Sequence, residues 1–161
     1  MHSLALAKLL ARAQTFDEWA TVASHQPETI NHELRQMEAT ALTFQEWKRL
    51  HWRASNTPTG TDRTLARRIT ANAIVHLQKT ASTFEEWIEV WNLPEDRTIT
   101  RTPTVLSHLQ GLAQTFWDWF NIAYSTSDDE LIREIVSERL KPLAKGEDEL
   151  KAVAFFTANG Y

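Results

Sequence analysis

Cysteine is absent from the 161 residues of this chain, which excludes disulfides and cysteine-based metal sites. Glycine and proline occur only four and five times, and no apolar run approaches the length of a membrane span. The chain is 24% charged and 42% hydrophobic, a composition that excludes the disordered and fibrous classes. A chain of this length can bury a substantial core, and we expect a single domain over residues 1–161.

A five-residue motif that begins with Thr-Phe and ends with Trp recurs along the chain. Four copies are clear and a fifth is degenerate: Thr15–Trp19, Thr43–Trp47, Thr83–Trp87, Thr115–Trp119 and Gly146–Leu150. Successive copies start 28, 40, 32 and 31 residues apart. Internal repetition at such distances is typical of stacked helical hairpins, in which each repeat contacts its neighbours.

The repeat is longer than this motif. When the copies are aligned on the Trp, six positions are apolar in 28 of 30 cases, although the chain is only 42% hydrophobic. These positions are three or four residues apart, which is helical spacing and not the alternation of a strand. The repeat cores lie near residues 6–22, 34–50, 74–90, 106–122 and 137–153.

Each clear motif contains the residues of a capping box. Thr occupies the N-cap position and an acid the third helical position, so that hydroxyl and carboxylate satisfy backbone amides at the helix start. The pairs are Thr15/Glu18, Thr43/Glu46, Thr83/Glu86 and Thr115/Asp118. An alanine stands two residues before every cap, where a small side chain lets two helix ends meet at a tight corner. We therefore expect each repeat to be a helix, a sharp corner and a second helix, with a looser connection to the next repeat.

These patterns predict an all-α fold of about ten helices. The predicted helices are 3–14, 16–25, 28–42, 44–54, 62–82, 84–92, 103–114, 116–124, 128–145 and 148–157. Pro142 should bend or end the ninth of them, because proline lacks the amide that continues a helix. We expect a right-handed stack of antiparallel helical hairpins, with four clear repeats and one degenerate C-terminal repeat.

In architecture the chain resembles the α-helical hairpin solenoids, both HEAT-like and tetratricopeptide-like, over essentially its whole length. The tetratricopeptide pattern of Trp, Gly, Tyr and Pro at fixed offsets is absent, and the spacings vary more than in that family. The resemblance therefore implies a fold and carries over no functional residue.

The seven tryptophans fall into two groups. Trp19, Trp47, Trp87 and Trp119 occupy the repeat position and are expected in the core, since large aromatics supply much of a small core's buried area. Trp52, Trp91 and Trp117 depart from the repeat. Trp91 and Trp117 either fill gaps left by the irregular spacings or serve as exposed anchors for a partner, because Trp is enriched at interaction hot spots. Trp52 lies among the basic residues of the second repeat.

Positive charge is concentrated in the second repeat. Residues 45–80 hold seven Lys and Arg against two Asp and Glu, in a chain of net charge −4. The basic side chains considered as candidate partner-binding residues are Lys48, Arg49, Arg53, Arg63, Arg67 and Arg68. Cations beside Trp52 suit phosphate backbones and stacked bases. Alternatively they form a solvated face or pair with the acidic third repeat.

No catalytic constellation emerges from the sequence. The histidines are scattered, Gly-rich phosphate loops and nucleophile motifs are lacking, and we assign no metal or cofactor. We expect a non-enzymatic, protein-binding adaptor or scaffold. The alternatives are a nucleic-acid-binding module that uses residues 48–68, and a structural subunit of a larger assembly.

The chain start gives an expectation about location. Lys8 interrupts the apolar stretch at residues 1–10, which continues into the first repeat, so we expect a structural helix and not a signal peptide. With no cysteine and no membrane span, we expect a cytoplasmic protein without membrane partners. A secreted effector is the alternative.

Overall fold

In the computed structural model the protein is described over residues 11–25, 29–57, 61–93 and 100–161. Within these ranges the chain is all-α, with nine helices and no strand. The helices are α1 Phe16–His25, α2 Ile30–Thr40, α3 Phe44–Ser55, α4 Arg63–Thr80, α5 Phe84–Trp91, α6 Pro103–Leu112, α7 Phe116–Ser125, α8 and α9 Glu147–Ala158. Helix α8 begins as Asp129–Ile135, passes through a π-helical turn at Val136–Leu140 and ends as Lys141–Leu143. The predicted helix 3–14 lies largely outside the described residues.

The predicted helix starts agree closely with the structure, and the predicted ends of the helices that precede a corner alanine are two residues too long. Helix α4, for example, was expected at 62–82 and spans Arg63–Thr80. The difference arises because the alanine two residues before each cap has an extended backbone, as at Ala81 (φ −62°, ψ 129°). Each helix therefore ends one residue before the Ala of the corner.

The corners repeat in backbone geometry as well as in sequence. At four corners the first residue after the helix is an alanine with φ between −62° and −69° and ψ between 117° and 129°. These residues are Ala41, Ala81, Ala113 and Ala144. At the N-cap the values are φ −99° and ψ 161° for Thr43, and Thr83 and Thr115 differ from these by at most 13°. The same few letters thus give the same turn at each of these places.

The predicted capping boxes are confirmed. At the Thr43 corner the Glu46 amide donates to the Thr43 hydroxyl at 3.3 Å, and the Glu46 carboxylate accepts the amides of Leu42 and Thr43 at 2.9 and 2.8 Å. Partial burial raises the pKa of Glu46, but hydrogen bonds from these two amides and the Thr43 hydroxyl outweigh it, so the pKa lies below its usual value. The acid therefore satisfies one amide more than a standard box requires.

The degenerate fifth copy keeps half of this arrangement. Gly146 has no hydroxyl to offer, yet the Glu149 carboxylate accepts the amides of Lys145 and Gly146 at 2.7 and 3.0 Å. These two hydrogen bonds, the Lys145 amide first, lower the pKa of Glu149. The carboxylate is thus the common element of all the corners.

The described core contains many of the repeat positions, together with residues outside the repeat such as Ile69 and Val105. All four repeat tryptophans and the preceding phenylalanines are buried, as are Val22, Leu50, Val90 and Ile122 one turn later. This confirms the expectation for the regular Trp set, and it explains why each second helix is amphipathic.

Two compact units divide the chain, Met1–Ala81 and Ser82–Tyr161. In the first, α1 packs against α2 and α3 most closely against α4; in the second, α5 packs against α6 and α7 against α8. These close pairs are joined by the connections between motifs and not by the sharp corners, so our expectation that the sharp corner closes each hairpin was wrong. The reason is the direction of the large side chains, since Trp47 of α3 faces His76 of α4.

Pro142 has the predicted local effect. The Lys141 amide donates to the Val136 carbonyl, five residues back, and so creates the π-helical turn just before the proline. Helix α8 then ends at Leu143, one residue after Pro142. A widened turn relieves the clash that proline makes with the carbonyl four residues earlier.

Over the described ranges, no helix combines the length and the apolarity needed to cross a membrane.

Candidate partner-binding surfaces

An exposed group of aromatic side chains covers one side of α7 and α9 in the C-terminal unit. We name it the aromatic patch, and its members are Trp117, Phe120, Tyr124, Phe155 and Phe156. Trp117 and Tyr124 are 46% and 66% exposed, and Phe155 is exposed as well, whereas Phe156 is buried beneath them. The patch thus has a buried base and an exposed outer layer.

The rings of the patch form a continuous network. The Phe120 centroid lies 5.5 Å from that of Trp117, 5.7 Å from that of Tyr124 and 5.5 Å from that of Phe156. The ring centroid of Phe155 lies 6.3 Å from that of Tyr124 and 5.4 Å from that of Phe156. Ring pairs at these distances stabilise one another and leave few rotamers free, so the surface is preorganised for contact.

Local sequence explains why α7 carries two apolar faces. Phe116, Trp119 and Ile122 are the repeat positions and are buried. Trp117, Phe120 and Tyr124 follow at helical steps of three and four residues and form a second stripe. A helix needs only one apolar stripe to bind its own core, so the second one is available to something else.

The degenerate motif enlarges the exposed apolar area on α9. Leu150 stands where the other repeats have the buried Trp, and it is 57% exposed. Glu147 replaces the repeat Phe and is exposed too. The Trp position, which lies in the core in the other copies, is therefore on the surface here, and Leu150 keeps it apolar.

A second candidate surface lies in the N-terminal unit along α3. Gln45, Lys48, Arg49, Trp52 and Arg53 line a cleft of about 380 Å³, together with Ala20 of α1 and Met37 of α2. We name it the α3 cleft. Its α3 residues are spaced three, one, three and one apart, which places them on one helix face. Sequence reasoning named four of them as candidates, and the structure brings these four together.

Trp52 is an exposed member of the α3 cleft, with 63% of its surface accessible. Arg49 lies beside it on the same helix face, forms an ion pair with Asp17 and sits 5.2 Å above the Phe16 ring. The pair is exposed on both sides, so its net stabilisation is small. The cleft thus combines an exposed indole, three cationic side chains and the side chains of Ala20 and Met37.

The arginines of α4 do not line this cleft. Arg63 and Arg67 are exposed. Arg68 forms a two-fold ion pair with Glu38 of α2, with distances of 2.9 and 2.6 Å. Burial raises the pKa of Glu38, but the hydrogen bonds from Arg68 and Asn72 lower it more, so the pKa lies below its usual value. Arg68 therefore pairs with Glu38 of α2. One alternative from the sequence, pairing with the acidic third repeat, does not describe this ion pair.

Trp91 is not a surface anchor. It is 4% exposed, its indole N–H donates to the Ser125 carbonyl at 3.4 Å, and the Arg101 guanidinium lies 5.7 Å from its ring. Of the three irregular tryptophans, only Trp52 and Trp117 present their rings to solvent. Trp91 fills space between α5 and the end of α7, the alternative that the sequence left open.

Sequence reasoning missed one recurring contact. In each packed helix pair the repeat Trp meets a His or Arg of the other helix, and the pairs are Trp19–His32 (5.4 Å), Trp47–His76 (4.0 Å), Trp87–His108 (4.3 Å) and Trp119–Arg139 (4.8 Å). The two central pairs are stacked within 10° of parallel. A signal existed, because the alignment position of His76 holds His108 and Arg139 in the next repeats. Three of the six histidines thus contact a repeat Trp, and two of them, His76 and His108, cover the face of an indole.

These histidines do not form a metal centre. In the part of the chain that the structure describes, no three His, Asp or Glu side chains lie close enough together to hold a metal ion.

Comparison of the chain with protein-family models, with curated proteins and with solved structures finds no match.

Proposed function

We propose that this protein is a non-enzymatic adaptor or scaffold that binds another protein through the aromatic patch. The observation that carries the proposal is the continuous ring network of the exposed Trp117, Tyr124 and Phe155, which the half-buried Phe120 links. Soluble monomers rarely expose contiguous apolar patches unless these are interaction sites. Aromatic side chains with restricted rotamers are also the residues that dominate binding energy at protein interfaces.

The proposal includes the architecture and the location. Successive helix pairs stack as a right-handed array of repeats, and the protein works in the cytoplasm. The recurring corners and the recurring Trp–His contacts support the first statement, because identical joints and identical contacts generate a regular array. The absence of cysteine supports the second.

Position-specific cross-linking tests the proposal. A photoreactive phenylalanine analogue placed at Tyr124 should cross-link to a defined partner protein in cells of the source organism. The same analogue at Lys141, an exposed position of α8 outside the patch, serves as the matched control. Trp117→Ser in the Tyr124-labelled protein should reduce the cross-link while the helical circular-dichroism signal is unchanged.

Two results would contradict protein binding at the patch. One is equal labelling from Tyr124 and Lys141, which would indicate random collisions. The other is a cross-link that disappears after nuclease treatment, which would favour the nucleic-acid module. A cross-link to one constant neighbour of a stable complex, present at both positions, would instead favour a structural subunit.

A further inference from the structure

We propose that the α3 cleft binds an acidic peptide segment of the partner, with an apolar side chain placed beside Trp52. The inference rests on the proposed function, since it names the chemistry of a segment that a protein-binding scaffold would take. It concerns a second surface, in the other unit of the chain, and so adds a second point of attachment.

Charge is the first argument. The N-terminal unit holds ten Lys and Arg against seven Asp and Glu, whereas the C-terminal unit holds seven against fourteen. Within the positive unit, Lys48, Arg49 and Arg53 all line the same cleft, and none of the described residues that line it is acidic. Such a surface attracts carboxylates and repels basic segments, which gives both a faster encounter and selectivity.

The form of the cleft is the second argument. The half-buried Ala20 contributes apolar surface to the cleft that holds the indole of Trp52, and the buried Met37 lies at its floor. A small residue leaves room and a thioether adapts its shape, so this part of the cleft suits an aliphatic or aromatic side chain. Cations around an apolar centre match a segment in which a leucine or phenylalanine is flanked by Asp and Glu.

The aromatic and cationic residues of the cleft suit a peptide better than single-stranded nucleic acid. Nucleic-acid grooves track a long backbone with phosphate contacts and stack several bases on several aromatic rings. Among the described residues that line the cleft, Trp52 is the one aromatic residue. The exposed Arg63 and Arg67, which would extend a phosphate track, do not line it.

Fluorescence polarisation on the full chain tests the inference. The probe is a short fluorescein-labelled peptide of Asp and Glu with one central Leu. Matched probes replace the Leu by Ser, or all acids by Lys, and a labelled oligothymidylate represents single-stranded nucleic acid. We expect the Leu-containing acidic probe to bind most tightly, the Ser probe more weakly and the Lys probe not at all.

Three variants locate the binding. Trp52→Ser should weaken the acidic probe by about 30-fold, the effect of losing a hot-spot anchor. The double change Lys48→Gln with Arg53→Gln should weaken it by about tenfold at low salt and less at high salt. The matched control, Arg63→Gln with Arg67→Gln, removes the same charge from exposed positions outside the cleft and should change affinity by less than about twofold.

Clear outcomes would overturn the inference. Equal losses for the two double variants would mean that binding follows net charge and not the cleft. Tighter binding of the oligothymidylate than of the acidic probe, with loss in Trp52→Ser, would assign the cleft to nucleic acid. If no peptide probe binds but the Tyr124 cross-link is observed, the inference about the α3 cleft is wrong and the proposed function is unaffected. If neither peptide binding nor the Tyr124 cross-link is observed, both the inference and the proposed function are wrong.

Discussion

Helix α3 carries one buried and one exposed tryptophan, and this makes it a sharp test of the repeat interpretation. Trp47 is 4% exposed and stacks on His76 at 4.0 Å, with 8° between the planes. Trp47→Ala removes a large buried side chain and should lower the free energy of unfolding by about 3–5 kcal/mol. The lost ring stack belongs to this total and places the change toward its upper end, because such pairs contribute about 0.5–1.5 kcal/mol.

Trp52→Ala is the matched control, since it makes the same substitution on the same helix at a position that is 63% exposed. Surface changes of this kind usually stay within about 0.5 kcal/mol. Unfolding in urea should be followed by far-ultraviolet circular dichroism, because fluorescence would average over seven tryptophans. His76→Ala isolates the stack and should cost about 1 kcal/mol. Equal losses for Trp47→Ala and Trp52→Ala would refute the division of the tryptophans into core and surface sets.

Three further predictions concern the corners and the ion pair, each with its own measurement. Thr43→Ala should cost about 1 kcal/mol in urea unfolding, and no change would mean that packing alone imposes this helix start. The pKa of Glu86 is lowered mainly by the hydrogen bond from the backbone amide of Ser82. The ionised carboxylate therefore stabilises the folded protein fully above the pKa of Glu in the unfolded chain, about 4.3, and this stabilisation is lost as the pH falls through the pKa of the folded state. Glu86→Gln should therefore reduce the loss of stability between pH 5 and acid, as measured by melting temperature, and an unchanged pH profile would contradict the role of the carboxylate. A double-mutant cycle of Arg68→Ala and Glu38→Ala should give a coupling of no more than about 1 kcal/mol that decreases with salt, because Arg68 is half exposed; a salt-independent coupling would speak for a desolvated pair.

The sequence predicted the helix starts well because the information that sets them is local. Thr43, Glu46 and the three amides they satisfy lie within four residues of one another, so the motif alone defines the geometry. The pairing of the helices was predicted wrongly for the opposite reason. It depends on which helix the Trp47 side chain faces, and the answer, His76, is 29 residues away.

The candidate surfaces were predicted in part. Trp117 stood out because it replaces a polar residue of the repeat, and Lys48, Arg49, Trp52 and Arg53 stood out as a basic band with an aromatic. Tyr124 and Phe155 were missed, since their contact joins two helices that the sequence cannot place side by side.

The recurring corners have a consequence for the order of folding. The hydrogen bonds that close a corner connect residues only three or four apart, as between Thr15 and Glu18 or Lys145 and Glu149. Such contacts form without the entropic cost of closing a long loop, and chains rich in local contacts fold fast. The stacks such as Trp47 on His76 must wait until a longer loop has closed. We therefore expect Thr43→Ala to slow folding, with a φ-value near one, and Trp47→Ala mainly to speed unfolding.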